Sequence, residues 1–328
     1  MKKNKIKKIA VITSGGDAPG LNACIRAVVR TAIYNGLTVV GIQHGFEGLI
    51  AGDFITMDAN SVSNIIHLGG TILKSSRSER FKTPEGRELA YQQLKKEGIE
   101  AVILIGGDGS LAGSKAFTAT YAIPWIGIPK TIDNDIIGTD FTIGYDTAVN
   151  TAMEAIDKIR DTAESHNRIY FVEVMGRDSG FIAYKTGIAV GAEAIYIPET
   201  KTDLQHLFSV FEKGWNRNKS SLLVIVAEGD EAGGAYKISE KVKEKFPHYD
   251  MAVCVLGHIQ RGGSPTCSDR VLATNLGVAA IHALLKGEKN IMIGEINGEI
   301  IYTPLEKITK KYLEITPPIT ELINILSN

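Results

Sequence analysis

Short apolar runs alternate with longer segments of helical periodicity along most of the chain. The run Ala101–Ile105 is apolar at every position, which is typical of a parallel strand buried on both faces. The segment Leu21–Tyr34 instead carries its apolar residues at the spacing of a helix with one buried face. Strands that alternate with helices in this way predict an α/β fold, with parallel sheets and helices on both faces of each sheet.

The same pattern predicts the bounds of most elements. The predicted strands are Ile9–Ile12, Thr38–Ile42, Ala101–Ile105, Trp125–Ile128, Ile169–Val174, Leu222–Ala227 and Met251–Leu256. The predicted helices are Leu21–Tyr34, Thr83–Lys96, Ser110–Thr120, Tyr145–Thr162, Asp203–Asn216, Gly234–Lys245 and Asp269–Leu285. Ligands of open α/β sheets bind at the carboxyl ends of the strands, so the residues that follow each predicted strand are the candidates for chemistry.

Length, charge and cysteine content narrow the class of protein. With 328 residues, the chain is long enough for two α/β lobes. A formal net charge of -1 offers no broad basic field for nucleic acid or an anionic membrane, so local Arg, Lys and backbone N–H groups must hold any anionic ligand. The three cysteines are widely spaced and form no C-x-x-C pair, which fits a reducing compartment. The sequence has no apolar run long enough for a signal peptide or a membrane span, so we predict a cytoplasmic protein.

Two glycine-rich turns follow predicted strands. They are Ser14–Gly20 and Gly106–Ser110, and each leads into a predicted helix. Glycines let backbone N–H groups approach an anion, and the N-terminus of a helix adds favourable partial charge, although each segment could also be a plain tight turn. Asp108 could hold Mg²⁺ against phosphates, or it could cap its helix. Leu21 stands where a Walker motif has Lys, which argues against a P-loop NTPase.

Carboxylate and cationic side chains follow other predicted strands. The segment Pro129–Asp135 offers two carboxylates, one of which could accept a proton from an attacking hydroxyl, although an Asp/Asn-rich turn is the simpler interpretation in isolation. Met175–Arg177, Glu228 and Gly257–Gly263 follow three further strands. Arg suits bidentate contacts to phosphate, and His can hold a phosphate or sugar oxygen. If these groups converge at one edge of the sheets, they would form a sugar-phosphate site.

These turns together resemble the signature segments of the bacterial-type ATP-dependent 6-phosphofructokinase family. The resemblance rests on Ser14–Gly20, Gly106–Ser110, Thr131–Asp135, Met175–Arg177 and His258–Gly263, which occur in the family's order and approximate spacing. It extends over nearly the whole chain and weakens at the C-terminus. It implies a glycolytic kinase that uses ATP and Mg²⁺ to phosphorylate the 1-hydroxyl of fructose 6-phosphate.

The resemblance also implies an architecture. The family fold has two Rossmann-like α/β lobes, with mainly parallel sheets sandwiched by helices and the active site in the cleft between the lobes. Residues 1–143 and 259–309 would form the larger lobe, which binds ATP and Mg²⁺. Residues 144–258 and 310–328 would form the smaller lobe, which binds the sugar phosphate. A homotetramer is implied as well, with active and effector sites shared between subunits.

Roles for individual residues follow from the same resemblance. Asp133 would be the base, with Thr131, Asp135, Arg77 and Arg177 as the other catalytic residues, and Asp108 would be the Mg²⁺ ligand. The ATP site would comprise Gly16, Arg77, Gly107, Asp108, Gly109 and Ser110. The fructose 6-phosphate contacts would be Thr131, Ile132, Asp133, Arg168, Met175, Gly176, Arg177, Glu228, His258 and Arg261, with Arg168 lent by a neighbouring subunit. The effector site would comprise Arg26, Arg30, Arg160, Gly191, Glu193, Arg217 and Lys219.

Two family markers for the phosphoryl donor disagree in this chain. Gly109 is similar to the residue of ATP users, because a bulkier Asp there would crowd the α-phosphate. Lys130 is similar to the residue of pyrophosphate users, where ATP users more often have Gly. We give Gly109 more weight, because a bulky side chain at that position would exclude ATP, whereas an added lysine can coexist with bound ATP.

Two alanines replace arginines of the family pattern. Ala252 stands where an arginine reaches the sugar 6-phosphate, and the loss of such a charge-assisted contact costs about 1.5–3 kcal/mol. Weak binding of fructose 6-phosphate, or a different sugar phosphate, is therefore a hypothesis for this chain. Ala59 replaces an arginine of the effector site, which leaves the strength and sign of regulation by ADP or phosphoenolpyruvate open.

Two other functions stay open at this point. A pyrophosphate-dependent enzyme agrees with Lys130. A non-catalytic regulatory subunit agrees with Ala252, but the presence of Asp108, Asp133, Arg77 and Arg177 argues against it. An oxidoreductase is disfavoured, since no G-x-G-x-x-G motif opens a helix after a strand.

Overall fold

The computed structural model describes residues 6–164, 168–216, 222–317, 319 and 325. The chain divides into two units, each formed by several segments. The first unit comprises Met1–Thr131, Asp135–Thr147 and Arg261–Lys311. The second unit comprises Ile132–Asn134, Ala148–Gln260 and Tyr312–Asn328. The roles predicted for the two lobes stay predictions.

The elements in the described part of the chain alternate as the sequence predicts. The strands are β1 (Lys8–Ser14), β2 (Thr38–Ile42), β3 (Phe54–Met57), β4 (Ala101–Gly106), β5 (Trp125–Pro129), β6 (Ile169–Val174), β7 (Ala194–Tyr196), β8 (Leu222–Ala227), β9 (Met251–Val255), β10 (Ile291–Ile296) and β11 (Glu299–Pro304). The helices are α1 (Leu21–Tyr34), α2 (Gly45–Ala51), α3 (Pro84–Lys96), α4 (Asp108–Thr118), α5 (Tyr145–Glu164), α6 (Phe181–Ala189), α7 (Leu204–Asn216), α8 (Gly234–Lys245) and α9 (Cys267–Lys286). Within these residues, no helix has the length and apolar character needed to cross a membrane.

The first unit is built on a sheet with the strand order β11-β10-β5-β4-β1-β2-β3. The strands from β10 to β2 are parallel, and β3 and β11 pair antiparallel at the two edges. In β1, Ile9 and Val11 pack in a core cluster with α1 and α9. Ala10 and Ile12 pack in a second cluster with α2, α3 and α4. Successive residues of a strand face opposite sides, so an apolar strand is needed to fill both clusters.

The second unit is built on a smaller parallel sheet with the strand order β7-β8-β6-β9. Ile169 and Phe171 of β6 share a core cluster with α7 and α8. At the edge, the residues of β9 are half-buried or exposed. Both units are therefore α/β with mainly parallel sheets, which confirms the predicted fold class.

The predicted elements are all present, and differences in their bounds are small. The helix predicted to begin at Ser110 begins at Asp108, so that Asp108 lies in the first turn of α4. The prediction missed α2, β3, α6, β7 and the hairpin of β10 and β11. The sequence could have predicted that hairpin from its turn, which is formed by Asn297 and Gly298 with φ of 52° and 78°. Asn-Gly between apolar runs is the usual sequence of such a turn.

Asp269, in the first turn of α9, joins that helix to the start of α5. Its side chain is 1% exposed and accepts hydrogen bonds from the backbone N–H groups of Gly144 and Thr147, both at 2.8 Å, and from Thr147 Oγ1 at 2.5 Å. Burial raises the pKa of this carboxyl, and the hydrogen bonds oppose that rise. The carboxylate therefore satisfies donors that would otherwise be buried without an acceptor.

We expect Asp269→Ala to lower the free energy of unfolding by roughly 3 kcal/mol, because it leaves buried donors without an acceptor. Urea unfolding followed by circular dichroism measures the change. Asp157→Ala, which removes an exposed carboxylate from α5, is the matched control. Equal unfolding midpoints for the two variants would contradict the assigned role of Asp269.

Candidate active site

Three neighbouring strands of the first unit end side by side. Ser14 of β1 is in register with Gly106 of β4, and Gly106 is in register with Pro129 of β5. The glycine-rich turns and Lys130 follow these strand ends directly. The two glycine-rich turns therefore follow adjacent strand ends at one edge of this sheet, and the predicted convergence with the residues that follow the other strands stays a prediction.

Lys130 binds the first glycine turn. Its side chain is 3% exposed, and Nζ donates hydrogen bonds to the carbonyl oxygens of Gly16 and, at 3.2 Å, of Ser14. Gly15 has a φ of 87°, and a Cβ there would lie 3.3 Å from Ser110 Oγ and 3.7 Å from Lys130 Nζ. The turn therefore needs glycine at position 15, and the ammonium group of Lys130 shapes the turn.

The second glycine turn leads into α4. Asp108 is half-buried, Gly109 is exposed and Ser110 is buried in the first turn of that helix. Apart from its chain neighbours and the backbone of its own helix, no atom of the described residues lies within 4 Å of the position that a Cβ on Gly109 would take. The N-terminus of α4 thus presents backbone N–H groups beside open space, which is a suitable arrangement for binding phosphate.

The residues at this edge fit a magnesium ion that is shared with phosphates. In the described residues, no group of three or more His, Cys, Asp and Glu side chains could hold a metal ion by itself. Mg²⁺ is usually held by one or two carboxylates together with substrate phosphates and water. Asp108, half-buried beside the open space at Gly109, supplies such a carboxylate.

Serines hold the segment that carries Arg77. Ser75 Oγ donates to the carbonyl oxygen of Gly15 at 2.5 Å, so this segment lies against the first glycine turn. Ser76 Oγ and Ser78 Oγ donate to other groups of the same unit, at 2.6 Å and 2.5 Å. The side chain of Arg77 between them is exposed. The sequence analysis missed these serines, because nothing local identifies their distant acceptors.

Arg261 also lies against the first glycine turn. Its Nη1 donates to the carbonyl oxygen of Asp17 at 3.3 Å, and a Cβ on Gly16 would lie 2.5 Å from the same nitrogen. Arg261 therefore belongs with the glycine turns of the first unit. Its predicted contact with the sugar phosphate stays a prediction.

The segment Thr131–Asp135 is fixed along its length. The carbonyl oxygen of Thr131 accepts from Thr142 Oγ1 at 2.6 Å, and that of Asp135 accepts from the N–H of Lys311 at 2.8 Å. Asp133 is 5% exposed, and the side chain of Ile132 is fully buried. The predicted contact of Ile132 with fructose 6-phosphate stays a prediction, because the whole residue is buried.

The turns after β6 and β8 interlock in the second unit. Val174 and Ala227, the last residues of these strands, are in register. Arg177 has a φ of 52° and donates its N–H to Glu228 Oε1 at 2.8 Å. A Cβ on Gly229 would overlap the carbonyl oxygen of Arg177. The position of Arg177 thus depends on Glu228 and on a glycine that the sequence analysis did not single out.

Other predicted sugar-phosphate residues lie elsewhere in the second unit. Met175 is buried, and the side chain of His258 is exposed in the 3₁₀ turn Gly257–Arg261. Arg168 forms an ion pair with Asp250 of the same chain, with Nη2 and Oδ2 2.5 Å apart. The predicted contribution of Arg168 to a neighbouring subunit stays a prediction.

The predicted effector residues fall into three groups. Arg26 and Arg30 lie on α1, with Arg30 exposed. In the second unit, Arg160 Nη2 donates to the carbonyl oxygen of Val190, and the next residue, Gly191, has a φ of 61°. Glu193 is buried, and its side chain accepts a hydrogen bond from the N–H of Leu223 at 2.6 Å. Arg217 and Lys219 lie outside the described residues.

Known proteins similar to this chain are phosphofructokinases. The family model described as phosphofructokinase matches residues 8–284. The chain is 53% identical over 321 residues to ATP-dependent 6-phosphofructokinase 2 of Bacteroides thetaiotaomicron, which covers 98% of each chain. It is 49% identical over 322 residues to ATP-dependent 6-phosphofructokinase 1 of Thermus thermophilus, which covers 98% of this chain and 100% of the relative.

Solved structures agree with the sequence comparisons. A phosphofructokinase from Saccharomyces cerevisiae superposes with a TM-score of 0.86 and 35% identity, over 92% of this chain and 44% of the yeast chain. A pyrophosphate-dependent phosphofructokinase from Marinobacter aquaeolei superposes with a TM-score of 0.83 and 23% identity, over 98% of this chain and 91% of that chain, and supports the fold alone. The chain belongs to the phosphofructokinase family.

Proposed function

We propose that the chain is an enzyme that transfers the γ-phosphoryl group of ATP to the 1-hydroxyl of fructose 6-phosphate, giving fructose 1,6-bisphosphate in glycolysis. The observation that carries this proposal is the 53% identity, over 98% of both chains, to a relative named as an ATP-dependent 6-phosphofructokinase. The glycine turns at the end of the first unit's sheet support it. They offer what phosphoryl transfer needs, which is positioning and neutralisation of charge.

The donor phosphates bind at the N-terminus of α4 and along the two glycine turns. Arg77, with its backbone held by serines beside Gly15, places a guanidinium group where it can contact them. Asp108 would hold Mg²⁺, which would neutralise phosphate charge and help to orient the γ-phosphoryl group. Gly107 and Gly109 keep side chains away from the phosphates.

The acceptor is activated by Asp133. Its carboxylate takes the proton of the sugar 1-hydroxyl while the sugar oxygen forms a bond to the γ-phosphorus and the bond from that phosphorus to the β–γ bridging oxygen of ATP breaks. ADP leaves with the electrons of the broken bond. Arg177 neutralises the charge on the transferred group, with Thr131 and Asp135 holding the phosphoryl group and the metal.

We favour ATP over pyrophosphate as the donor, although the two family markers disagree. The ammonium group of Lys130 is bound to the carbonyl oxygens of Ser14 and Gly16, so this lysine has a role that does not require pyrophosphate. The surroundings of Gly109 are open, as ATP requires. Two solved structures of pyrophosphate-dependent phosphofructokinases are 23% and 22% identical to this chain, which supports the fold alone.

A coupled assay with ATP or pyrophosphate as donor, across several sugar phosphates, tests the proposal. We expect turnover with ATP and fructose 6-phosphate, and a rate with pyrophosphate that is lower by at least about 100-fold, as expected when the binding energy of the nucleotide is absent. Faster turnover with pyrophosphate would contradict the choice of donor. No turnover with either donor, together with stabilisation by ligands, would favour a regulatory subunit.

Lys130→Met should raise the KM for ATP about tenfold or more, because a charge-assisted hydrogen bond contributes about 1.5–3 kcal/mol. The KM for fructose 6-phosphate should stay the same, since Lys130 acts on the donor turn. Steady-state kinetics with each substrate varied measure both values. Lys115→Met, which replaces an exposed lysine on α4, is the control. An unchanged KM for ATP would show that Lys130 does not support the donor turn.

The resemblance to the family supports further proposed properties of the enzyme. It is a cytoplasmic homotetramer with an effector site for an anion such as ADP or phosphoenolpyruvate. Ala252 lies on β9 opposite Tyr170 of β6 and supplies no cation for the sugar 6-phosphate, which favours weak binding of fructose 6-phosphate. The KM for this sugar, measured with and without each effector in the same assay, tests both points.

A further inference from the structure

Ser179 connects the turn that carries the proposed base to the turn that carries Arg177. The side chain of Ser179 is 1% exposed, and its Oγ donates to the carbonyl oxygen of Asp133 at 2.7 Å. Its backbone N–H donates to the carbonyl oxygen of Gly176 at 3.0 Å. One buried serine therefore contacts both turns of the second unit from which the proposed chemistry comes.

The turn on the Arg177 side cannot easily adjust to a change at Ser179. Gly176 has a φ of 144°, and a Cβ there would overlap the carbonyl oxygen of Ser179. Arg177 has a left-handed φ of 52°, a conformation that is unfavourable for a residue with a Cβ. The hydrogen bond from the Arg177 N–H to the Glu228 side chain also holds the backbone of this turn.

The turn on the base side also has an unusual backbone. Asn134, which follows Asp133, has a φ of 53°. Asn adopts this left-handed conformation more readily than most residues, and the bond from Ser179 to the preceding carbonyl oxygen is a contact that holds the turn. A loss of this bond would let the base turn relax.

We infer that Ser179 is a positioning residue for phosphoryl transfer, which fixes the backbone that carries the Asp133 carboxylate against the turn that carries Arg177. The inference rests on the proposed function, in which Asp133 removes the proton and Arg177 neutralises the transferred group. A displacement of about 1 Å between reacting groups can lower the rate about 100-fold, so a bond that sets their spacing affects kcat. Ser179 itself touches neither substrate in this scheme.

The test compares Ser179→Ala with Ser179→Cys, whose thiol keeps a weak donor, and with Ser239→Ala. Ser239 is a matched control, because it is a buried serine of the same unit whose Oγ donates to the carbonyl oxygen of Tyr236 within α8. We expect Ser179→Ala to lower kcat about tenfold to 100-fold, with the KM for ATP within about twofold of the wild type. Ser179→Cys should recover part of the loss, and Ser239→Ala should match the wild type.

Hydrogen–deuterium exchange supplies a readout that does not require activity. Amides of residues 131–136 should exchange faster in Ser179→Ala than in the wild type, while those of β6 keep their rates. An unchanged kcat would overturn the inference, as would a rise in the KM for ATP as large as the fall in kcat. If the wild type shows no kinase activity, the proposed function fails, and the exchange of residues 131–136 alone decides whether Ser179 holds the turn.

Discussion

Replacement of Asp133 by Ser should lower kcat by about 10²- to 10⁴-fold, the usual contribution of a positioned general base. The 1-hydroxyl of a sugar is a weak nucleophile, so its attack on phosphorus needs an acceptor for the proton as the new bond forms. Asp133 is 5% exposed and its backbone is held by Ser179, which gives its carboxylate little freedom to move. A serine hydroxyl at this position cannot take up the proton.

Binding of the sugar phosphate should change much less than kcat in this variant. The groups proposed to hold the sugar and its phosphate, including Arg261 and His258, are untouched by the substitution. We therefore expect the KM for fructose 6-phosphate to stay within about threefold of the wild type, the pattern of a group that acts in the transition state. Steady-state kinetics and calorimetric titration with fructose 6-phosphate measure the two quantities separately.

Two further variants make the result specific. Asp133→Asn keeps the size of the side chain but removes the basic oxygen, and it should be as inactive as Asp133→Ser. Asp157→Ser removes an exposed carboxylate from α5 and should leave kcat unchanged. Full activity in Asp133→Asn would contradict the assignment of Asp133 as the base.

The sequence predicted the sheets and the strand-end residues because both depend on local pattern. An uninterrupted apolar run such as Ala101–Ile105 has few ways to be buried, and a parallel strand covered on both faces is one of them. Strands that end in glycine-rich turns then bring those turns to one edge, as the register of Ser14 with Gly106 shows. These parts of the candidate site follow from the fold.

The contacts that hold the candidate site could not be read from the sequence. Ser75 binds Gly15, and Ser179 binds Asp133, across 60 and 46 residues of chain. A serine in a loop gives no local sign of which distant carbonyl oxygen it will meet. The sequence also gives no sign of why residue 229 is glycine. A Cβ at this position would overlap the carbonyl oxygen of Arg177, which lies in a different turn. Tertiary packing decides such contacts.

Lys130 shows a different limit of sequence reasoning. A family marker assigns one role to a residue type at a given position, and this lysine matches the marker of pyrophosphate users. In the structure its ammonium group is bound to the first glycine turn, a contact that serves either donor. Residue identity alone therefore does not separate a cation that binds the donor from one that shapes the donor's turn.

Arg177 should make the second large contribution to the rate, after that of the base. Its loss in Arg177→Gly or Arg177→Ala should lower kcat about 10²- to 10³-fold, the range found when one preorganised donor to a developing anion is removed. Arg177→Lys keeps the charge but loses the planar fork that matches phosphate oxygens, so its kcat should lie between those of the wild type and the truncated variants. Steady-state kinetics with saturating ATP and fructose 6-phosphate measure these values.

The backbone conformation of Arg177 allows its effect on the rate to be measured apart from its effect on stability. Its φ of 52° is unfavourable for a residue with a Cβ and favourable for glycine, so Arg177→Gly should be more stable than Arg177→Ala by about 1 kcal/mol. Both variants keep the backbone N–H that binds Glu228. If activity followed stability, the glycine variant would be the more active of the two. Equal loss of kcat in both, with different unfolding midpoints, is the result expected if the guanidinium group acts on the transferred phosphoryl group.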